Sequence, residues 1–264
     1  MTAKTNRHPT RAPVRRGAAL RLAAFCLAAF TPALAAGAGH PSVFVFSCAP
    51  DNDLYRGVTD GGRPICVRRD DPSSAIDAAP EGAGVLCLAD LYPATTQTIP
   101  EPALRRAADK RLRLYIEYPA ALPGMKLGAP QDTKWERGVI ASGAFGSTLK
   151  PMRILAIHDC RFVPVTAGAV GAAHIVLARV AGFDTAVFGL PEQCAYPILF
   201  EHCDGRILVA TTKLSQFVTA RYGPADAWRA VWRMILNRLQ PDTPPPPSPA
   251  TCGGSGGAPL CRPY

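Results

Sequence analysis

A histidine, an aspartate and a cysteine stand side by side at His158, Asp159 and Cys160, directly after the apolar run 154–157. These residue types ligate metals and take part in nucleophilic catalysis. In a regular strand, neighbouring side chains point to opposite faces, so His158 and Cys160 would share a side while Asp159 faces away. We therefore predict a structural strand end with His158 hydrogen-bonded and Cys160 buried. The alternative is a ligand contact through His158.

A zinc site would need further ligands, and His202 and Cys203 supply the matching residue types. With His158 and Cys160 they would give two imidazoles and two thiolates, a set that binds Zn²⁺ tetrahedrally. The Asp-Gly pair that follows them is typical of a hairpin turn. Exposed turn residues are therefore the favoured interpretation, and the zinc site stays an alternative. No cofactor is predicted.

Polar side chains also follow three predicted strands at their carboxyl ends. Ligands of open α/β sheets bind beyond these ends. Tyrosine rings with acidic neighbours would suit sugar hydroxyls, through stacking and hydrogen bonds. The predicted ligand-pocket residues are Asp51, Asn52, Asp53, Tyr55, Asp90, Tyr92, Glu117, Tyr118 and His158.

Parts of this pocket have other interpretations. The stretch 51–55 is also typical of an Asx-type turn, which would make it structural. Asp90 and Glu117 would suit the acid/base pair of a glycoside hydrolase, whose stereochemistry depends on the separation of the two carboxyl groups.

Ser142, in VIASGAFG, lacks the G-x-S-x-G elbow of a serine hydrolase, and the sequence identifies no matching histidine and acid. We assign no catalytic residue from the sequence.

The elements that must hold these residues are short apolar strands, which alternate with helices in the first half of the chain. Strands are predicted at 43–46, 65–67, 84–89 and 112–118, with helices after Asp71 and over 100–110. The second half offers extended segments at 138–141, 152–158, 175–180 and 185–188, a hairpin over 198–211 and an amphipathic helix over 224–239. Strands without polar alternation indicate burial on both faces. We predict an α/β fold with a mostly parallel sheet flanked by helices, and an antiparallel hairpin extension in the second half.

The two ends of the chain differ in composition from its middle. Residues 1–36 combine basic residues, a short apolar stretch and Ala33-Leu34-Ala35, which predicts a signal peptide and a secreted or periplasmic protein. Residues 241–264 are rich in proline and glycine, which predicts a disordered tail or a truncated linker. The domain between them, 41–240, is long enough for one sizeable core.

The basic character of the chain comes largely from its beginning. Of the formal net charge of +9, six positive charges and no negative ones lie in residues 1–36, which leaves +3 for the rest. No later segment interleaves basic and aromatic residues, so we predict no nucleic-acid partner. No later apolar run reaches the ~20 residues of a membrane span, so none is predicted after removal of the signal.

Several segments together resemble the class I glutamine amidotransferase-like fold, in its ThuA-like branch. They are GVLCLADLYPATTQTIPEPALRRAADKRLRLYIEYP, YPILFEHCDGRILVATTKLSQF and the final tryptophan-bearing helix. The phrases PDNDLYR, RILAIHDCRFVPV and ILVATTKLSQFVTARYGP also resemble N-terminal modules of large secreted bacterial proteins, many of them associated with carbohydrate breakdown. The resemblance covers residues 43–239.

This resemblance implies a domain without its catalytic cysteine. Amidotransferases of this fold carry the nucleophile in a G-x-C-x-G elbow, whereas Cys160 is followed by Arg-Phe-Val-Pro, and ThuA-like versions lack the nucleophile. We expect a secreted, non-catalytic domain for interaction, oligomerisation or carbohydrate contact. Its partners would be carbohydrate, a downstream catalytic domain of a longer protein, or a second copy. The alternatives are a glycoside hydrolase and a metal-binding module.

Overall fold

The computed structural model describes residues 43–62, 64–157, 159–191, 195–218 and 225–240. The predicted signal peptide, the predicted tail and His158 lie outside these described residues. Within the described ranges, no helix is both long and apolar enough to cross a membrane.

A nine-stranded mixed sheet organises the described part of the chain. In chain order the strands are β1 (Val43–Ser47), β2 (Ile65–Arg69), β3 (Gly84–Cys87), β4 (Arg113–Glu117), β5 (Lys126–Leu127), β6 (Gln131–Asp132), β7 (Arg137–Ile140), β8 (Ile154–Leu155), β9 (Arg161–Phe162), β10 (Val165–Ala167), β11 (Ala173–Ala178), β12 (Tyr196–His202) and β13 (Ile207–Ala210). The large sheet has the order β2-β1-β3-β4-β13-β12-β11-β7-β8, and the pairs β10-β5 and β6-β9 form two small sheets.

The large sheet has a parallel half and an antiparallel half. Strands β2, β1, β3, β4 and β13 pair in parallel, so their carboxyl ends meet at one end of the sheet. Strands β12, β11, β7 and β8 continue it in antiparallel pairs. A turn at 203–206 joins β12 to β13. This architecture confirms the predicted α/β fold with its antiparallel extension.

Helices cover both faces of the sheet. They are α1 (Asp53–Thr59), α2 (Pro72–Ala78), α3 (Glu101–Asp109) and α4 (Ala225–Leu239), with 3-10 helices at Gly143–Phe145 and Leu214–Phe217. Because successive strand residues point to opposite faces, Phe44 and Phe46 of β1 join the core with α1 and α4, whereas Val45 joins the core with α2 and α3. Burial on both faces explains why these strands lack polar alternation.

The amphipathic pattern predicted a helix over 224–239, and α4 matches it. The ring of Trp228 stacks on Phe217 with centroids 4.2 Å apart, and Trp232 meets Tyr115 of β4 edge-on at 5.4 Å. Both tryptophans are fully buried. These contacts fix α4 against the strand whose last residue is Glu117.

The stretch 51–55 forms the predicted Asx-type turn, and this turn also begins a short helix. The Oδ1 atom of Asn52 accepts the backbone N–H groups of Leu54 at 3.0 Å and Tyr55 at 3.3 Å. These bonds satisfy donors that the first turn of a helix leaves free, so Asn52 is the N-cap of α1.

The extended segment predicted at 152–158 is shorter than expected. Only Ile154–Leu155 are paired with the sheet as a strand, and Asp159 has a φ of 52°. The regular alternation that places His158 and Cys160 on one side therefore does not apply there. The segment 185–188 likewise contributes a single bridge, from Thr185 to Arg153.

Candidate functional site

Glu117 is a completely buried acid at the carboxyl ends of the parallel strands. Its Oε1 accepts the Tyr115 hydroxyl at 2.9 Å and the Ser215 N–H at 2.7 Å. Its Oε2 accepts the Ser215 hydroxyl at 2.9 Å and the Ala89 N–H at 3.3 Å. Burial raises the pKa of Glu117, although these hydrogen bonds oppose the shift. Glu117 thus joins the ends of β3, β4 and β13 and presents nothing to solvent.

Asp90 also serves its own surroundings. One carboxylate oxygen accepts the backbone N–H of Ala49, and the other accepts the Asn52 amide at 3.0 Å. Because the Asn52 carbonyl oxygen caps α1, Asp90 links the loop after β3 to the loop after β1. The hydrogen bond between Asn52 and Asp90 thereby holds the two strand-end loops together.

Tyr92 and Tyr118 pack against each other beyond the carboxyl ends of β3 and β4. Their rings meet edge-on with centroids 5.0 Å apart. The Tyr92 hydroxyl accepts the Arg161 N–H at 2.6 Å. Tyr118, the residue after β4, has a φ of 47° and is fully buried, and its hydroxyl has no hydrogen-bond partner among the described residues.

Cys160 also belongs to this cluster, and its thiol is protonated. Its sulfur accepts the Gln216 side-chain N–H at 3.3 Å. Burial raises the pKa of Cys160 to about 11. Since the thiolate is the reactive form of cysteine, burial opposes activation of Cys160. The thiol of Cys48, which follows β1, is also protonated, because burial raises its pKa to about 12.

The structure brings together part of the predicted pocket. Asn52 bonds to Asp90, Tyr92 meets Tyr118 edge-on, and Glu117 accepts the N–H of Ala89, the residue before Asp90. The remaining predicted residues lie apart: Asp51 and Asp53 are exposed, Tyr55 packs edge-on against Phe46 in the core, and His158 lies outside the described residues. Among the described residues, Asn52, Glu117 and Tyr118 are buried and Asp90 and Tyr92 are half-buried, and we call this group the filled crevice.

The filled crevice disfavours the glycoside hydrolase alternative. A glycosidase needs two carboxyl groups that both reach the substrate. Glu117 is completely buried, and both carboxylate oxygens of Asp90 accept hydrogen bonds from the protein.

Of the four proposed zinc ligands, His158 lies outside the described residues, and the structure separates Cys160 from His202 and Cys203. Cys160 lies with Gln216 beyond the carboxyl end of β13, whereas His202 and Cys203 precede the amino end of that strand. The strand therefore separates the proposed ligands. Among the described residues, no group of three or more His, Cys, Asp or Glu side chains converges as a metal site.

A second polar cluster, which the sequence did not reveal, lies across β7, β11 and β12. The Ser142 hydroxyl is 2.9 Å from Nδ1 of His174, and Nε2 of His174 is 3.2 Å from Oε1 of Glu201. Glu201 also pairs with Arg238 of α4. His174 and Glu201 are thus a histidine and an acid for Ser142 that the sequence did not identify.

The hydrogen-bond chain fixes the proton positions in this second cluster. A carboxylate can only accept, so Nε2 of His174 carries the proton toward Glu201 and Nδ1 accepts the Ser142 hydroxyl. Burial lowers the pKa of His174, although Glu201 opposes the shift. His174 is 2% exposed, whereas Ser142 is half-buried and also accepts the Ala144 N–H at 3.3 Å. In the sequence, the feature that points to this cluster is the single histidine within the otherwise apolar strand AHIVLA.

Large apolar side chains are exposed in two loops near the β7–β8 edge of the sheet. Trp135 is 79% exposed, and Phe183 and Phe188 are 93% and 88% exposed. The two loops are tied together, because Arg179 pairs with Glu136 at 2.8 Å and Arg137 donates to the carbonyl of Gly182. We call Trp135, Phe183 and Phe188 the aromatic edge.

No protein-family model and no curated protein matches this sequence. Among solved structures, the chain is similar to a chain of PurLQS from Thermotoga maritima, at 14% identity and a TM-score of 0.45, covering 76% of this chain and 99% of that chain. It is also similar to a ThuA-like protein from Bacteroides uniformis ATCC 8492, at 10% identity and a TM-score of 0.43, covering 79% and 93%. Both similarities concern the fold alone.

Proposed function

We propose that this chain is a secreted, non-catalytic domain with an amidotransferase-like fold, which contacts carbohydrate beside a catalytic module of a longer protein. The observation that carries the proposal is the filled crevice. Glu117, Asp90 and Cys160 occupy the place where α/β sheets bind ligands, and each is engaged by neighbouring protein groups. Side chains that bond to one another in this way stabilise a fold, and these three already have protein partners.

The aromatic edge supports carbohydrate as the contact. An aromatic ring has a negatively polarised face, which attracts the C–H groups on the face of a sugar. Trp135 and Phe183 offer such faces to solvent, and the exposed guanidinium of Arg179 beside them offers donors for sugar hydroxyls. The predicted sugar contact through Tyr118 is replaced, because that ring is fully buried.

Affinity electrophoresis tests this proposal. The purified protein would be run in native gels that contain soluble xylan, mixed-linkage β-glucan or galactomannan. We expect at least one polysaccharide to retard it, with retardation lost in Trp135→Ala and Phe183→Ala and kept in Leu91→Ala. Leu91 is a suitable control because it is 71% exposed and lies outside the aromatic edge.

Two results would overturn the carbohydrate proposal. One is equal migration of all variants in every gel. The other is a wild-type dimer in light scattering that Phe183→Ala converts to a monomer, because this would assign the aromatic edge to a second copy of the chain.

The hydrogen-bonded chain of Ser142, His174 and Glu201 favours a second candidate function, ester hydrolysis. The Ser142 oxygen would attack the ester carbonyl while its proton passes to Nδ1 of His174, stabilised by Glu201. His174 would then protonate the departing alcohol, and water would release the acid from the acyl-serine. Ser142 itself is half-buried, and Gly143 and Ala144 after it are exposed.

Labelling with a fluorescent fluorophosphonate tests the second candidate. The candidate predicts labelling of the wild type and of Ser147→Ala, an exposed serine in the same loop, and its loss in Ser142→Ala and His174→Gln. An unlabelled wild type, or label that persists in Ser142→Ala, would leave only the non-catalytic function.

A further inference from the structure

A cavity of about 240 Å³ lies at the amino ends of the parallel strands, away from the filled crevice. Helix α3, the start of β4 and the hairpin between β12 and β13 enclose it. Its lining residues are Glu101, Leu104, Arg105, Ala107, Ala108, Leu112, Leu114, Pro123, Cys203, Arg206 and Ile207. We call it the α3 cavity.

The wall of the α3 cavity is mainly apolar. Leu112 and Leu114 come from the beginning of β4, Ile207 from the beginning of β13, and Leu104 from α3. The first three are buried and belong to the core between the sheet and α2 and α3. The wall of the cavity is therefore part of the packed core. The volume of the cavity equals that of about eight water molecules.

The mouth of the α3 cavity carries a positive charge. Glu101 and Arg105 form an ion pair at 2.5 Å and neutralise each other. Arg206 is exposed and makes no ion pair with any described residue. One uncompensated guanidinium thus stands at the rim of an apolar cavity.

A neighbouring cavity adds to this positive charge. Arg206 also lines that second cavity, together with Arg113, Arg238 and Asp204. Arg238 is partly neutralised by its pair with Glu201, and Arg113 donates to the backbone carbonyl of Arg238. With three arginines against one aspartate on its lining, the second cavity strengthens the preference for an anion on the Arg206 side.

We propose that the α3 cavity binds a small monocarboxylate with an apolar body. Its volume fits a saturated chain of about eight carbon atoms or a single aromatic ring. The carboxylate would pair with Arg206, since a guanidinium matches a carboxylate with two parallel hydrogen bonds. The apolar body would lie against Leu104, Leu112 and Ile207. This site is separate from both the filled crevice and the aromatic edge.

Titration calorimetry with sodium octanoate tests the charge and the apolar body separately. We expect saturable binding of octanoate, with sodium acetate and octan-1-ol each bound at least about tenfold more weakly. Acetate lacks the apolar body and octan-1-ol lacks the charge. Equal affinity for octan-1-ol would overturn the role of Arg206, and no saturable octanoate binding would overturn the site.

Three variants locate the bound octanoate. Arg206→Ala should weaken binding by about tenfold or more, because it removes a charged hydrogen-bond donor. Ala108→Phe should also weaken it by filling the cavity from an exposed helix position. Arg111→Ala removes an exposed arginine that does not line the cavity and should leave binding unchanged. Unchanged binding in Ala108→Phe would place octanoate elsewhere and overturn the proposal.

Cys203 supplies a readout independent of calorimetry. It is an exposed free thiol in the cavity lining. Octanoate in excess should slow maleimide modification of Cys203 at least threefold, as followed by peptide mass spectrometry, and should do so much less in Ala108→Phe. Unchanged modification at saturating octanoate would contradict the proposed position of the ligand.

Discussion

A carboxyl group that has no contact with water depends entirely on the groups around it. Glu117 gathers four hydrogen bonds from Tyr115, Ser215 and Ala89, which belong to separate segments of the chain. Removing the acceptor would leave buried donors without partners, and each such donor costs about 1–3 kcal/mol. At the scale of single residues, Glu117 therefore fastens the carboxyl ends of the strands.

Glu117→Ala should accordingly lower the free energy of unfolding by about 3 kcal/mol. Urea denaturation followed by tryptophan fluorescence measures it. Glu81→Ala is a suitable control, because this exposed acid makes only a 3.6 Å surface ion pair and its loss should change stability by less than about 0.5 kcal/mol. Equal losses in the two variants would contradict the fastening role.

His174 should make stability depend on pH. Burial lowers the pKa of His174 below its usual 6.5, so the unfolded chain takes up this proton at a higher pH than the folded one. Stability should therefore fall as the pH decreases below about 6.5. Urea midpoints measured between pH 7.5 and 5.5 should fall in the wild type and in His202→Gln, and fall less in His174→Gln. A slope that is unchanged in His174→Gln would rule out this contribution.

The sequence predicted part of the filled crevice, because the carboxyl ends of parallel strands meet wherever the strands pair. That rule places Asn52, Asp90 and Glu117 at one end of the sheet, where Asn52 bonds to Asp90 and Glu117 accepts the N–H of Ala89. It says nothing about whether the acids face solvent or one another, which depends on side-chain packing. Ser142, His174 and Glu201 were missed because antiparallel pairing joins residues far apart in the chain.

At the scale of elements, local patterns predicted the strands and helices that repeat a clear period. Helix α4 follows from its apolar stripe, and β1, β3 and β4 follow from short apolar runs. Helix α1 did not follow, because Pro50-Asp51-Asn52-Asp53 matches a turn and a helix start equally well. The contact of Asn52 with Asp90, 38 residues away, supports the capping conformation, and no local pattern contains it.

Asn52→Ala should therefore cost more than the loss of an ordinary helix cap. The substitution removes both the cap of α1 and the hydrogen bond to Asp90, so we expect a loss of about 2 kcal/mol in unfolding free energy. Asp71→Ala removes only the N-cap of α2, at an exposed position, and should cost about 1 kcal/mol. Denaturant titration of both variants checks the difference. A smaller loss for Asn52→Ala than for Asp71→Ala would contradict it.

At the scale of the whole molecule, secretion is the proposal that most affects how the protein should be produced. Expression of the full chain in a bacterium should yield an exported protein cleaved near Ala35–Ala38, as measured by intact mass in the periplasmic fraction. Ala35→Arg should block cleavage, because the cleavage site requires a small residue. An uncleaved wild-type protein that stays in the cytoplasm would contradict secretion.

The two outer strands of the large sheet are closed to further pairing in different ways. At one edge, β2 carries Arg68 and Arg69, and charged residues on an edge strand oppose pairing with another chain. At the other edge, the backbone around β8 is already occupied, because Ile154 donates to Asp184 and Ala186 donates to Met152. Both edges of the described sheet thus oppose edge-to-edge pairing, so we expect copies of this chain that associate to meet through loops or helix faces.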